Sequence, residues 1–328
     1  MNYLSNLISN AKGSLFEASD STNGMMIIVV IALIPGFLTS SYFFGIGIIV
    51  NVGVSIATCI AVESLILKAR AQSQLTLLDG SALVTACLLG LCLPPDLPLF
   101  IVILGSAFAI TFGKLLYGGL GHNIFNPAMV GYAALIISFP LAMSTWPSLP
   151  SLLSLDGTII DGHTAATPLD IVKFRGGLTI DEIGLGENIF LSTPPWQSIN
   201  FAYLVGGLAL IFMRIARWQA TAAMLATLLF LYGISYDGGS SQSFGSPLFH
   251  LFSGGTMLAA FFIITDPVTS PDSTIGLLLF GCGIGVLTFL IRTYGAYPDG
   301  IAFAVLLMNA LAPLIDHFRL EKGGDIKS

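Results

Sequence analysis

The sequence predicts an all-α polytopic membrane protein with about ten transmembrane helices, arranged as two inverted five-helix repeats with broken helices. Three observations predict it. Of 328 residues, 55% are hydrophobic and only 9% charged, against about 25% charged in ordinary soluble domains. So few charges cannot cover a water-facing surface, and lipid is the natural solvent. Apolar runs recur at about the 20-residue length a helix needs to cross hydrocarbon. Breaks rich in glycine and proline recur at matching places in two halves.

Residues 1–23 are polar (Asn6, Ser9, Asn10, Lys12, Glu17, Asp20) and lack a basic start followed by an apolar core, so no cleavable signal peptide is expected. A first membrane repeat is expected over 24–142, with spans near 24–38, 42–67, 80–93, 98–117 and 124–142. A polar insertion follows over 143–198. A second repeat over 199–316 has spans near 199–215, 218–236, 248–265, 274–292 and 299–316, and a tail occupies 317–328. The spans at 80–93, 124–142 and 248–265 are short or interrupted by glycine and proline.

The repeat shows in the breaks. Gly80 opens an apolar stretch that stops at Pro94-Pro95, and Gly254-Gly255 open one that stops at Pro267. From 80 to 127 and from 254 to 298 are 47 and 44 residues, each leading through a proline into another apolar run. Five spans per half make the halves inverted, and such repeats place their site where the halves meet.

With ten spans, Lys12, Lys68, Arg70, Lys114, Arg214, Arg217, Arg319, Lys322 and Lys327 all fall on one side, and only Lys173 and Arg175 in the insertion and Arg292 fall on the other. By the positive-inside rule the first side is cytoplasmic. Both termini are therefore expected inside and the 143–198 insertion outside. Trp146 and Trp196 bracket the insertion as an interfacial belt. The net charge of −6 gives no support to a nucleic-acid partner. Cys59, Cys87, Cys92 and Cys282 sit in apolar runs without a C-x-x-C pair. They read as small buried side chains, with an iron–sulfur site shared with a neighbouring protein of a complex as the alternative.

The residues that carry chemistry lie in the insertion, in the tract Asp161-Gly162-His163-Thr164-Ala165-Ala166-Thr167-Pro168-Leu169-Asp170. It has no apolar period, and Pro168 disfavours helix before it. An exposed loop or turn is expected, open to a modifying enzyme. Asn123 and Asn126 flank Phe125 ahead of Pro127, where free N–H groups of a helix start can face the phosphate or a ring carbonyl of a bound group, or where Asn126 simply caps the helix. Asp266, before Pro267 and Thr269, reads as a cap or turn residue. Glu63, late in the second span, is a functional suspect as a membrane acid, unless it is solvated near the interface.

Asp161 to Thr167 resembles the flavinylation motif Asp-x-x-(Ser/Thr)-x-Ala-Thr of the RnfD/NqrB family, the membrane subunits of Rnf complexes and sodium-pumping NADH:quinone reductases. Gly121–Pro147 and Phe261–Pro271 resemble segments of the same family, as do the ten-span plan and the chain length. The absence of a longer N-terminal region favours the Rnf type over the B subunit of a Na+-pumping quinone reductase. The resemblance implies FMN in phosphoester linkage to Thr167, placed there by a flavin transferase that reads Asp161 and Thr164, with a second, non-covalent flavin such as riboflavin as a further expectation. It implies a subunit of an ion-translocating oxidoreductase in a bacterial inner membrane, coupling electron transfer between ferredoxin and NAD to Na+ or H+ translocation. Rnf partners of the A, B, C, E and G types would then supply the other redox centres, since this chain has neither a dinucleotide fingerprint nor a cysteine-rich cluster motif. A passive small-solute channel or transporter also suits the five-plus-five plan, and a structural anchor is the third reading.

Overall fold

The computed structural model describes residues 21–147, 164–179, 182, 192–238, 240 and 243–323. Every expected span has a helical counterpart, and five helices are long and apolar enough to cross a membrane.

In the first half, α1 (Thr22–Phe44) starts where the Ser21 hydroxyl accepts from the Gly24 N–H at 3.1 Å. It turns at Gly45 into α2 (Ile46–Ala69). A 3-10 turn (Gln74–Asp79) leads into α3 (Ser81–Cys92) through Gly80, whose φ of 79° is left-handed backbone that suits glycine. Next come α4 (Leu99–Gly113), α5 (Pro127–Ser138) and the short α6 (Pro140–Ser144).

Two tiny strands then pair antiparallel, β1 (Trp146–Pro147) with β2 (Thr164–Ala165), in the register Trp146↔Ala165 and Pro147↔Thr164. The helix α7 (Pro168–Lys173) follows at once. In the second half come α8 (Pro194–Phe212), α9 (Trp218–Ser235), α10 (Pro247–Leu251), α11 (Thr256–Leu258) running into a π-helical turn (Ala259–Ile263), α12 (Thr274–Tyr294) and α13 (Ile301–Gly323).

The halves meet through matching members. The first span of one half, α1, packs along the first of the other, α8, and the fifth spans α5 and α13 also touch. Within the halves, α2 packs on α3 and α4 as α9 packs on α12. The α1–α8 contact is close: a Cβ on Gly206 would lie 2.1 Å from the Ala32 carbonyl oxygen. Small residues at membrane helix contacts allow such approach. Gly206→Leu is therefore expected to force the halves apart. Overpacking of this kind costs about 1–3 kcal/mol, which a thermal melt of the detergent-solubilised protein will show as a lowered midpoint.

The broken spans explain two buried asparagines. α3 has 12 residues, about 18 Å at 1.5 Å per residue, too short for a core about 30 Å thick. Beyond it the backbone of Leu93-Pro94-Pro95 is irregular yet buried, and Asn51 Nδ2 of α2 donates to the Pro94 carbonyl at 2.8 Å. In the second half Asn200 of α8 bridges the break between α10 and α11. Its Nδ2 donates to the carbonyls of Phe252 (3.2 Å) and Gly254 (3.0 Å), and its Oδ1 accepts from the Met257 N–H (3.1 Å). Irregular backbone is tolerated at membrane depth only where protein groups satisfy it in this way.

Candidate functional site

Thr167 is not in an open loop. It is the N-cap of α7, half-buried, with Pro168 at the first helical position. The proline that bars helix before it starts helix after it, because its fixed φ suits the first turn and its missing N–H is not needed there. Thr167 and Asp170 form a reciprocal capping box. Thr167 Oγ1 donates to Asp170 Oδ2 at 2.6 Å and accepts from the Asp170 N–H at 3.2 Å, while the Thr167 N–H donates to Asp170 Oδ2 at 3.2 Å. Burial pushes the Asp170 carboxyl above the usual carboxylate range, partly offset by its bonds from Thr167.

Two anchors hold this cap in place. The β1–β2 ladder ties the backbone just before it to the end of the first half. Lys173, at the last turn of α7, donates its ammonium to the carbonyls of Ile291 (3.0 Å) and Tyr297 (2.7 Å) in the second half. The reactive-type hydroxyl is thus fixed between the two halves, where the repeat pattern places a site.

Thr167 and Asp170 line an open cleft. Its walls are aromatic. Trp146 and Trp196 meet edge-to-face with ring centres 5.0 Å apart, and Phe44 lies 5.3 Å and 5.5 Å from them. The two tryptophans do not form a lipid-facing belt as their flanking positions suggest. Trp196 is buried, and both turn inward on the cleft. Tyr132, Tyr203 and Asp299 complete it. A flat, mostly apolar ring of a tethered flavin fits such walls, and a hydroxyl at the rim suits its phosphate.

Asn123 and Asn126 are elsewhere. They line a second cleft with Lys114 and Asp266, and they do not share the cleft of Thr167. Asn126 caps α5, its Oδ1 accepting from the Met129 N–H at 3.3 Å, while its own N–H donates to Asn309 Oδ1 at 3.1 Å. The Asn123 Oδ1 is buried and unpartnered. Asp266 closes a turn, accepting from the Val268 N–H (3.0 Å) and the Thr269 hydroxyl (3.3 Å), and burial raises its carboxyl. His122 is exposed. Asp161 lies outside the described residues, and Thr164 is seen as backbone in β2.

Two ion pairs went unforeseen, one buried on both sides and one with a half-buried acid. Lys114, which ends the fourth apolar run, is 2% exposed; its ammonium meets Glu63 Oε1 at 2.5 Å, Ser81 Oγ at 2.6 Å and Asp79 Oδ2 at 3.6 Å. Glu63 is therefore paired, not solvated. Arg292, which ends the ninth apolar run, is buried. It donates to Asp299 Oδ1 at 3.1 Å, Thr256 Oγ1 at 2.9 Å and the His250 carbonyl at 2.9 Å. The pairs are counterparts: in each half the cation near the end of the fourth span binds the hydroxyl of the first residue of a helix in the broken third span, Ser81 of α3 for Lys114, 33 residues back, and Thr256 of α11 for Arg292, 36 residues back. Cys59 and Cys87 are buried as expected, Cys92 partly so, and Cys282 faces outward. Among the described residues no group of three or more His, Cys, Asp or Glu has the arrangement to hold a metal ion.

Helices in two interlocked halves, with a threonine held at an aromatic cleft between them, define a polytopic membrane protein. The chain belongs to the NQR2, RnfD, RnfE family, whose model matches residues 10–323. It is similar to the D subunit of the ion-translocating oxidoreductase complex of Cellvibrio japonicus, 44% identical over 322 residues, with 92% of this chain and 90% of the relative covered. The D subunits from Pseudomonas aeruginosa (45% over 314 residues, 92% and 91% covered) and Shewanella amazonensis (45% over 322 residues, 90% and 92% covered) are comparably similar.

Proposed function

We propose that this chain is the flavin-carrying membrane subunit of an ion-translocating oxidoreductase complex, with FMN in phosphoester linkage to Thr167. The observation that carries the reading is the placement of Thr167 Oγ1, the last position of the motif match, at the rim of the aromatic cleft and hydrogen-bonded to Asp170. When bound, the flavin supplies one- or two-electron transfer. This chain's own residues tether it and orient it: Asp170 holds and can take the threonine proton during attachment, Lys173 fixes α7 against the second half, and Trp146 and Trp196 wall off the ring. The names of the relatives support membership of a multi-subunit complex, and the Rnf resemblance supports ferredoxin and NAD as its terminal partners, with a flavin transferase in maturation and Na+ or H+ as the coupled ion. The second cleft, with Asn123, Asn126 and Asp266 as polar groups, suits a non-covalent flavin such as riboflavin.

The test is a denaturing gel of the purified chain viewed under ultraviolet light. A fluorescent band is expected; a dark band from a strain with an active flavin transferase would leave the channel and anchor readings. Asp170→Asn keeps the size of the side chain but not its carboxylate, and is expected to lower the flavin-loaded fraction several-fold at unchanged protein level, read as fluorescence per stained band.

We also place both termini and Lys68, Arg70 and Lys114 at the cytoplasmic face of a bacterial inner membrane, and the Thr167 cleft at the outer face. Cysteines at the exposed positions Leu178 and Gln72, in a background without native cysteines, check this. Leu178→Cys is expected to react with an impermeant thiol reagent in spheroplasts and Gln72→Cys only after lysis. The reverse pattern would invert the assignment.

A further inference from the structure

A file of polar side chains runs down one face of α2, between the two clefts. Asn51, Ser55, Cys59 and Glu63 recur every four residues, so they stack on one helix face, and each is at most 1% exposed. From Asn51 to Glu63 the file spans about 18 Å, more than half of a hydrocarbon core about 30 Å thick. Its upper end lies one turn below Ile48, which lines the aromatic cleft. Its lower end is the Glu63–Lys114 pair, and Lys114 lines the second cleft.

The file holds polar atoms that the protein itself leaves unmatched. Asn51 Oδ1, Ser55 Oγ and Glu63 Oε2 are buried without a hydrogen-bond partner. Helix hydroxyls elsewhere go both ways: Ser41, Ser106, Thr288 and Thr293 are likewise buried without a partner, while six others are satisfied within their helices. Thr39, Ser144, Thr145, Ser198, Ser235 and Thr265 each donate to the carbonyl four residues back on their own helix, the usual way to satisfy such a group. Ser55 does not. Cys59 Sγ makes only a long contact, 3.8 Å, to the Ser106 carbonyl of α4. Buried unpaired polar groups cost about 1–3 kcal/mol each, and water with several polar neighbours is the usual remedy.

We propose that this file is a proton path, threaded by water, joining the aromatic cleft to the Glu63–Lys114 pair at the second cleft. The groups facing its lower end are Lys114 beyond α4, Asp79 in the 3-10 turn, Ser81 of α3, and the thiols of Cys59 and Cys87. They favour a proton over a metal cation. Glu63 offers one free oxygen, and an ammonium already sits 2.5 Å from the other; a metal ion would meet that charge with too few oxygens to replace its water, whereas a proton needs one acceptor. In the step itself an excess proton enters the file from the aromatic-cleft end as hydronium; one O–H bond of that hydronium breaks, the proton forms an O–H bond with Glu63 Oε2, neutral water is left behind and the carboxylate becomes neutral. Lys114 keeps its proton and leans on Asp79, 3.6 Å away. The reverse step returns the proton to the file, and no electron moves. The path rests on the geometry of α2; only the occupants of its two ends rest on the flavin reading above.

The test uses the whole complex in membrane vesicles, followed by infrared difference spectroscopy after a pH jump. A protonated-carboxyl band that shifts in heavy water and vanishes in Glu63→Gln is expected. Ser55→Val fills the file with hydrocarbon and is expected to slow that band's response about tenfold, equivalent to about 1.4 kcal/mol in the barrier, while Ser55→Ala, which leaves room for water, keeps the wild-type rate. A response equally fast in Ser55→Val overturns the path. A band set by sodium concentration and indifferent to heavy water overturns the proton in favour of a metal cation. The same jump in a Thr167→Ala background keeps the band if the path stands, whatever the gel shows about flavin, so the two readings fail separately.

Discussion

Thr167→Ala is expected to give a chain that inserts and assembles at normal level and shows no flavin fluorescence in the denatured band. The substitution removes the only oxygen through which the phosphoester can form at this position. It also removes one partner of the capping box, at a cost of about 1 kcal/mol, too little to unfold a bundle held by its membrane helices. Ferredoxin-linked NAD+ reduction and ion transport are expected to stop together. A ring tethered at the outer face cannot exchange electrons directly with a cytoplasmic donor across about 30 Å of hydrocarbon, so it must be an obligatory relay fed by another centre. Thr167→Ser keeps a hydroxyl at the same cap and is expected to retain part of the flavin. Electron transfer at the normal rate in a flavin-free Thr167→Ala complex would reduce this chain to a scaffold.

Lys114→Met is expected to be the most damaging single change in the membrane domain. The lysine is 2% exposed and neutralises a glutamate that is 1% exposed. Removing one partner of a buried pair strands the other charge, at about 3–5 kcal/mol, a large part of the stability of an ordinary domain. The yield of monodisperse protein after detergent extraction should collapse. In the double variant Glu63→Gln, Lys114→Met the stranded charge is gone, and most of the yield should return. Equal losses in the single and double variants would show that the lysine acts through packing and not through charge.

The spans were legible in the sequence because hydropathy marks them: all ten apolar runs became helical segments, with ends shifted by a few residues. The two broken spans were legible from Gly80, Gly254 and the prolines, which punctuate the backbone regardless of context. Membership of the family was legible from the tract ending at Thr167 and the segments that resemble it. The wiring was not. Lys114 and Glu63 are 51 residues apart, and a cation closing an apolar run reads as a charge at a membrane face until a neighbouring helix brings an acid to it. Arg292 misled for the same reason. Asn51 and Asn200 patch breaks 43 and 54 residues away, which no periodicity reveals. Asn123 and Asn126 have the chemistry for a flavin edge, yet the fold puts them on a different cleft from Thr167, because α5 starts at the opposite end of the bundle from α7. Pro168 was legible as a stop and not as a start, since its effect on the residue before it is local while the helix after it depends on the Thr167–Asp170 box.

The matched pairs Lys114–Ser81 and Arg292–Thr256 have an electrical consequence. In the proposed inverted plan each cation, with its acid, lies toward an opposite face, the Lys114–Glu63 pair fully buried and the Arg292–Asp299 pair buried on its arginine side. Polar matter thus reaches inward from both ends, and the insulating layer shrinks to the region between them. The membrane voltage then falls across that thinner slab instead of across the whole bilayer. A unit charge carried over even this short distance meets nearly the full drop, about 2.3 kcal/mol for every 100 mV. Short internal hops of charge are in this way made to count, against the voltage, as whole crossings.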